Sequence, residues 1–266
     1  MSQVIHIGRH RIGCGNLLTS TFQAELWAGA PAQAGMVMLD PPYGAAIDRE
    51  AARRAKKAGM RMGKLTCVTE EWDMYEGDWP RYAADCRAWL AAAVRYRAPG
   101  HAMIVWAWSH SLRHVIAAGV HAGLRIVTIF TWAKPNASPR FVRNTAITKS
   151  TEFAAIFRGP EKLEFHGPLI RDHVVMSSQR RRIGQHETEK PVDLYHLLIE
   201  RFCPPGGIVY DPMMGSGTTV AVCEGTGRAA IAADNDPRWF DEAITRVGRP
   251  PGLMRPGDQG RLIVHE

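Results

Sequence analysis

Two short stretches of this 266-residue chain combine residue types that could do chemistry. The first, "MVMLDPPYG" (36–44), is an apolar run that ends abruptly on Asp40, Pro41, Pro42 and Tyr43. A carboxylate can accept protons or hydrogen bonds, two prolines fix the backbone around it, and a tyrosine ring offers a flat surface. The second, "GIVYDPMMGSGTTVAV" (207–222), has the composition of a strand, a turn carrying Gly215 and Gly217, and a helix start. Glycines let the backbone approach a ligand, and free amides at a helix N-terminus suit an anionic or polar group. A further apolar run ends on Asp234, nineteen positions after Gly215. That is the spacing at which a carboxylate grips a ribose hydroxyl in dinucleotide-type sites.

Two competing readings of the glycine turn fail on particular residues. A P-loop needs a lysine before its Ser or Thr, and "GSGTT" has none. A pyrophosphate-binding GxGxxG needs glycine where this chain has Val220. A ligand with an adenosine but no polyphosphate fits better.

These residues need a scaffold that brings strand ends together. Apolar runs recur at 36–40, 102–108, 125–133, 152–157, 207–211 and 229–234, and their continuous apolarity predicts strands covered on both faces. Helical segments are predicted at 79–97, 109–123, 190–202, 217–227 and 237–247; in the third, Val192, Leu194, Leu197 and Leu198 share a face. Strands alternating with helices predict an open, mostly parallel α/β sheet, whose ligands sit beyond the carboxyl ends of the strands. Asp40, Asp211 and Asp234 all fall at such ends.

Composition narrows the partners. Lys and Arg outnumber Asp and Glu by 33 to 26, the formal net charge is +7 and the pI is near 9.4, so a polyanionic partner is compatible. The five cysteines are dispersed without a CxxC pair, which argues against a disulfide framework or a zinc site. No window is long and apolar enough for a membrane span, and residues 1–13 lack the apolar core of a signal peptide. The expectation is a soluble, cytoplasmic, nucleoid-associated protein with no metal and no membrane partner. Residues 45–66 read as a basic loop beside the site, and residues 248–266 as an extended tail.

Four motifs together, "DPPY" (40–43), "WAKPN" (132–136), "HETEKP" (186–191) and "DPMMGSGTT" (211–219), resemble those of the amino DNA methyltransferases. The catalytic motif precedes the glycine loop, an order similar to that of the beta class. The resemblance spans about residues 4–247. It implies a Rossmann-like class I methyltransferase sheet, circularly permuted, with an inserted target-recognition region. Residues 1–133 would then be the catalytic half, 134–185 the target-recognition region and 186–247 the half that binds S-adenosylmethionine.

The roles follow from the resemblance. An exocyclic base amine is a poor nucleophile because its lone pair is delocalised into the ring. The Asp40 carboxylate and the Pro41 carbonyl would accept its N–H groups, Pro42 would help fix that geometry, and Tyr43 would stack on a base rotated out of the duplex. Asp211, Pro212, Gly215, Ser216, Gly217, Thr218 and Thr219 match the cofactor loop, and Asp234 with Asn235 matches the ribose-binding acid. Thr188, Lys190 and Pro191 match a motif near the methionine end, with Glu187 departing from the usual proline. Asn16, in "GNLL" (15–18), stands where the family usually has an aspartate near the adenine.

For double-stranded DNA the candidates are Lys134, Asn136, Arg140, Arg143, Asn144, Lys149, Arg180, Arg181 and Arg182, which could hold phosphates or read base edges. Blander roles compete: His186 as a helix cap, Trp72, Trp106 and Trp108 as packing residues, and the arginine run as a solvated turn. The resemblance points to methylation of adenine N6, since DPPY favours adenine and SPPY cytosine N4. The alternatives are a cytosine-N4 methyltransferase and a non-catalytic DNA-binding regulator on the same fold. It also makes a homodimer compatible.

Overall fold

The structure, a computed structural model, describes residues 2–31, 33–44, 75, 78–136, 150–178 and 189–247. Among these, nine strands form one sheet: β1 (Gln3–Ile7), β2 (His10–Cys14), β3 (Ala34–Leu39), β4 (Arg97–Ala107), β5 (Arg125–Ala133), β6 (Thr151–Arg158), β7 (His173–Val175), β8 (Ile208–Asp211) and β9 (Ala229–Asp234). Their order is β1-β2-β9-β8-β3-β4-β6-β5-β7. The run from β2 to β4 is parallel, whereas β6 is antiparallel to both of its neighbours and β1 to β2.

Among the described residues, six helices cover the two faces: α1 (Ser20–Trp27), α2 (Trp79–Val94), α3 (Leu112–His121), α4 (Val192–Phe202), α5 (Thr218–Gly225) and α6 (Pro237–Val247). Alternation along each strand separates two cores. Met36 and Met38 of β3 pack with Ile104, Trp106, Val209 and helices α4, α5 and α6. Val37 and Leu39 pack on the opposite face with Val105, Tyr210 and helices α1, α2 and α3. This explains why the strands read as unbroken apolar runs.

Local chemistry sets several boundaries. Asp78 caps α2 by accepting a hydrogen bond from the Arg81 amide at 3.0 Å, with Pro80 in the first turn. Gly217 opens α5 at φ +84°, and a Cβ there would lie 2.7 Å from Cβ of Ala243 in α6. Glycine therefore serves both the left-handed backbone and the close approach of the two helices.

Four elements go beyond the sequence reading. β1 and β2 form an edge hairpin turning at Gly8, φ +56°, with histidine and arginine breaking up its apolar residues. α1 is a short helix whose Phe22 packs against Gly13 and Gly15, and β7 has only three residues. The single-face reading of residues 192–198 is corrected. Asp193, Tyr195, His196 and Ile199 of α4 are buried as well, and the His166 amide donates to the Arg201 carbonyl at 2.9 Å, so the segment around 166 covers the outer side. Among the described residues, no helix is long and apolar enough to cross a membrane.

Candidate active site

The carboxyl ends of β2, β3, β4, β8 and β9 lie on one side of the sheet, and antiparallel β6 brings its amino end there too. The loops at these ends line a cleft of about 260 Å³. One end of it carries Asp40, Pro41, Pro42, Tyr43, Trp108, Glu152 and Lys190; the other carries Asn16, Leu17, Gly215, Ser216, Asp234, Asn235 and Trp239. The two stretches singled out in the sequence, far apart in the chain, therefore share one cleft.

At the first end, both Asp40 oxygens are held. Oδ1 accepts the Tyr43 hydroxyl at 2.6 Å, and Oδ2 accepts the Lys190 ammonium. Lys190 Nζ is also 2.9 Å from the Tyr43 oxygen and 3.4 Å from Glu152 Oε2. The Tyr43 hydroxyl lies 3.2 Å from that same Oε2, while Lys134 holds Oε1. Burial pushes the Glu152 carboxyl up, but the Lys190 and Lys134 ammonium groups more than offset this and hold it at about 2. For Lys190, burial favours the neutral amine, yet Asp40 and Glu152 outweigh it and its pKa is raised. Burial and the two carboxylates keep the Tyr43 phenol protonated.

The turn itself is clamped from the second core. Tyr82 of α2 donates its hydroxyl to the Pro42 carbonyl at 2.8 Å. His110 donates from Nε2 to the Tyr43 carbonyl at 3.1 Å, because a carbonyl can only accept. The Tyr43 ring, half-buried, tilts at 47° to Trp108 with 5.5 Å between centroids.

The second end has no such charge balance. Asp234 Oδ2 accepts the Gly215 amide at 3.0 Å and Oδ1 the Asp236 amide at 2.9 Å, tying the glycine loop to the acidic loop. Burial raises its pKa to about 6. Asp211 accepts the Met213 amide at 3.2 Å and the Thr219 hydroxyl, and burial raises it to about 7. Asp211, Gly217, Thr219 and Pro191 stand behind the cleft wall, so Asp211 staples the turn into α5. Thr218 is buried beside Lys190, whose carbonyl its hydroxyl approaches at 3.5 Å. Asn16 accepts the Leu18 amide at 2.8 Å, shaping the adjacent loop.

Several predicted residues have protein partners of their own. Lys190 lies against Asp40. Lys134 lies on Glu152, and its Nζ is 4.4 Å from the centre of the Trp132 ring. Asn136 is exposed and exchanges hydrogen bonds with Ser178 at 3.0 and 3.2 Å. Trp106 is core, as its packing role predicts, whereas Trp108 lines the cleft. Thr188, His186, Trp72, Arg140, Arg143, Asn144, Lys149, Arg180, Arg181 and Arg182 lie outside the described residues, as do the basic loop 45–66 and the tail from 248.

Glu152, Tyr82 and His110 were not anticipated. An acid opening the apolar run "EFAAIF" is the signal that could have revealed Glu152, since such a strand has little other use for a charge.

The fit to an adenosyl sulfonium is chemical. Leu17, Leu18, Met214 and Trp239 supply apolar and aromatic walls, Asp234 supplies acceptors, and the carboxyl groups of Asp40 and Glu152 line the far end.

Comparison with known proteins agrees. The family model for DNA methylases of the N6/N4 type matches residues 34–245. The type II methyltransferase M.Cfr9I of Citrobacter freundii is 29% identical over 136 aligned positions, covering 47% of this chain and 45% of that protein, less than half its length. Among solved structures, the M1.HpyAVI–SAM complex superposes with a TM-score of 0.64 at 18% identity, covering 90% of this chain and 98% of that one. The cytosine-N4-specific PvuII DNA methyltransferase gives 0.68 at 15% identity, with 96% and 91% covered. At these identities the structures share the Rossmann-like fold.

Proposed function

The chain belongs to the N6/N4 DNA methylase family, and within it we propose that this protein transfers a methyl group from S-adenosylmethionine to adenine N6 of a base rotated out of duplex DNA. The observation that carries this reading is the shared cleft: the Asp40-Pro41-Pro42-Tyr43 turn at one end, the glycine loop with Asp234 at the other.

Asp234, Asn235, Gly215 and Ser216 would hold the nucleoside, with Leu17 and Trp239 beside it. S-adenosylmethionine supplies an electrophilic sulfonium methyl, which leaves its electron pair on sulfur when the base nitrogen takes the carbon. Asp40 and the Pro41 carbonyl accept the two N–H groups of the amine, freeing its lone pair for attack. Tyr82 and His110 preset this geometry by holding the two carbonyls that follow Pro41, those of Pro42 and Tyr43, and preorganised acceptors contribute most where charge develops. Asp40 need not be a strong base, because the proton leaves after transfer. Tyr43 and Trp108 offer the aromatic surface for the flipped base.

Cytosine N4 is the second reading, favoured by the likeness to the cytosine-N4-specific PvuII enzyme. Both amines need the same acceptors. Recognition would come from residues 134–185, the basic loop 45–66 or a second subunit, since Arg and Lys in these segments can track phosphates and base edges.

The test is incubation with radiolabelled S-adenosylmethionine and unmethylated genomic DNA, followed by nucleoside analysis and modification-sensitive sequencing. N6-methyladenine in one short motif is expected. N4-methylcytosine would overturn the base assignment and keep the mechanism; no label despite cofactor binding would overturn the activity.

A further inference from the structure

We propose that Glu152 is a positioning residue that frees Asp40 for the substrate amine, by taking over one of the two donors that otherwise occupy it. The inference rests on the methyl-transfer reading above, and it starts from a difficulty in that reading. An arriving N–H must share an Asp40 oxygen that Tyr43 or Lys190 already holds. The substrate competes best when one of these donors turns away, and a buried ammonium or phenol does so only toward another acceptor.

Glu152 Oε2 is that acceptor. It stands 3.2 Å from the Tyr43 hydroxyl and 3.4 Å from Lys190 Nζ, so each donor reaches it by a small rotation. Lys134 anchors the other oxygen, which keeps Oε2 turned toward the pair. The strand β6 fixes the backbone beneath, with Glu152 opposite Trp132 in β5.

The same residue sets the charge at this end of the cleft. Asp40 and Glu152 balance Lys190 and Lys134. Without Glu152 one positive charge is left over where a sulfonium must be accommodated, and the surplus ammonium stays on Asp40.

The charge assignment gives a readout independent of turnover. In Glu152→Gln, the affinity for S-adenosylmethionine is expected to fall about tenfold relative to neutral S-adenosylhomocysteine, an effect of the size of one partly screened charge at cleft distances. Methyl transfer is expected to lose roughly 10–100-fold in kcat with little change in KM for DNA, as for loss of a group acting only on the reacting end. Adding Lys190→Met to Glu152→Gln removes the stranded ammonium and should recover part of both losses. Glu152→Asp, which keeps the charge, should stay closer to wild type and serves if the amide variant does not fold.

Calorimetric titration with both ligands, beside single-turnover transfer, decides the matter. A Glu152→Gln protein with the wild-type ligand ratio and wild-type kcat would overturn the proposal. So would a slow variant whose ligand ratio is unchanged and whose rate the second substitution does not restore, since that marks a role in folding alone. Were the wild type itself to transfer no methyl group, the functional reading would fail and the ligand ratio would still judge the charge assignment.

Discussion

Neighbouring strands β3 and β8 both run into an Asp-Pro step, Asp40-Pro41 and Asp211-Pro212, at the same side of the sheet. Around Asp40 the protein brings Lys190 and, through it, a second carboxylate, Glu152, which Lys134 holds in turn. Around Asp211 it brings a hydroxyl and an amide, and burial pushes that carboxyl up to about 7. The backbone solution is the same and the electrostatic one is opposite. A carboxylate paired with an ammonium suits a group that must accept N–H bonds from a substrate. An acid among neutral donors is free to take a proton and to act as a staple.

Removing the cation is the most direct way to erase this contrast. Lys190→Met removes the buried ammonium from between Asp40 and buried Glu152 and leaves Glu152 with Lys134 alone, and should cost up to about 3–5 kcal/mol, as for other buried pairs broken from one side. Chemical denaturation of the two proteins measures it.

The complementary change sharpens the contrast. Because the Asp211 pKa is raised above its unfolded value, folding favours its protonated form. The associated stability is complete below about pH 4 and is lost as pH rises through about 7. A shift of this size corresponds to about 4 kcal/mol as an upper figure. Asp211→Asn should flatten this part of the curve of melting temperature against pH; a curve with the wild-type slope would mean that folding does not favour protonated Asp211.

Gly217→Ala tests the cofactor end alone. The left-handed backbone and the approach to Ala243 predict about 2–3 kcal/mol of destabilisation. The Asp40 end lies on other elements, so a variant that folds should keep its Lys190 network and lose cofactor affinity first.

The smallest effect concerns Asp234, also raised by burial, to about 6. Its ionised form accepts ribose hydroxyls better, so affinity for S-adenosylmethionine should strengthen as pH rises through about 6, by roughly tenfold at most, one hydrogen bond to a charged group. Asp234→Asn should remove that dependence in a calorimetric series.

Much of this was legible in the sequence for a simple reason. Central strands covered on both faces are continuous apolar runs, and their ends are marked by acids, prolines and glycines. Hence β3, β4, β8 and β9 and the cleft they border could be read directly. Edge elements carry no such mark: β1 and β2 mix histidine and arginine with their apolar residues, and β7 is three residues long. The network around Asp40 was hidden for another reason. Lys134, Glu152 and Lys190 come from three elements, and only the antiparallel course of β6 brings the start of an apolar strand to the active end. Lys190 lay in a recognisable motif, yet which group it faces depends on how α4 docks against β3.

The most direct test of the central claim is the single-turnover rate of methyl transfer to duplex DNA by Asp40→Asn, with cofactor affinity measured on the same preparation. The rate should fall by about 10²–10³-fold, the usual loss when one preorganised transition-state partner is removed, while affinity changes little. A wild-type rate, or a loss confined to cofactor affinity, would contradict the assignment of Asp40 as the acceptor for the amine.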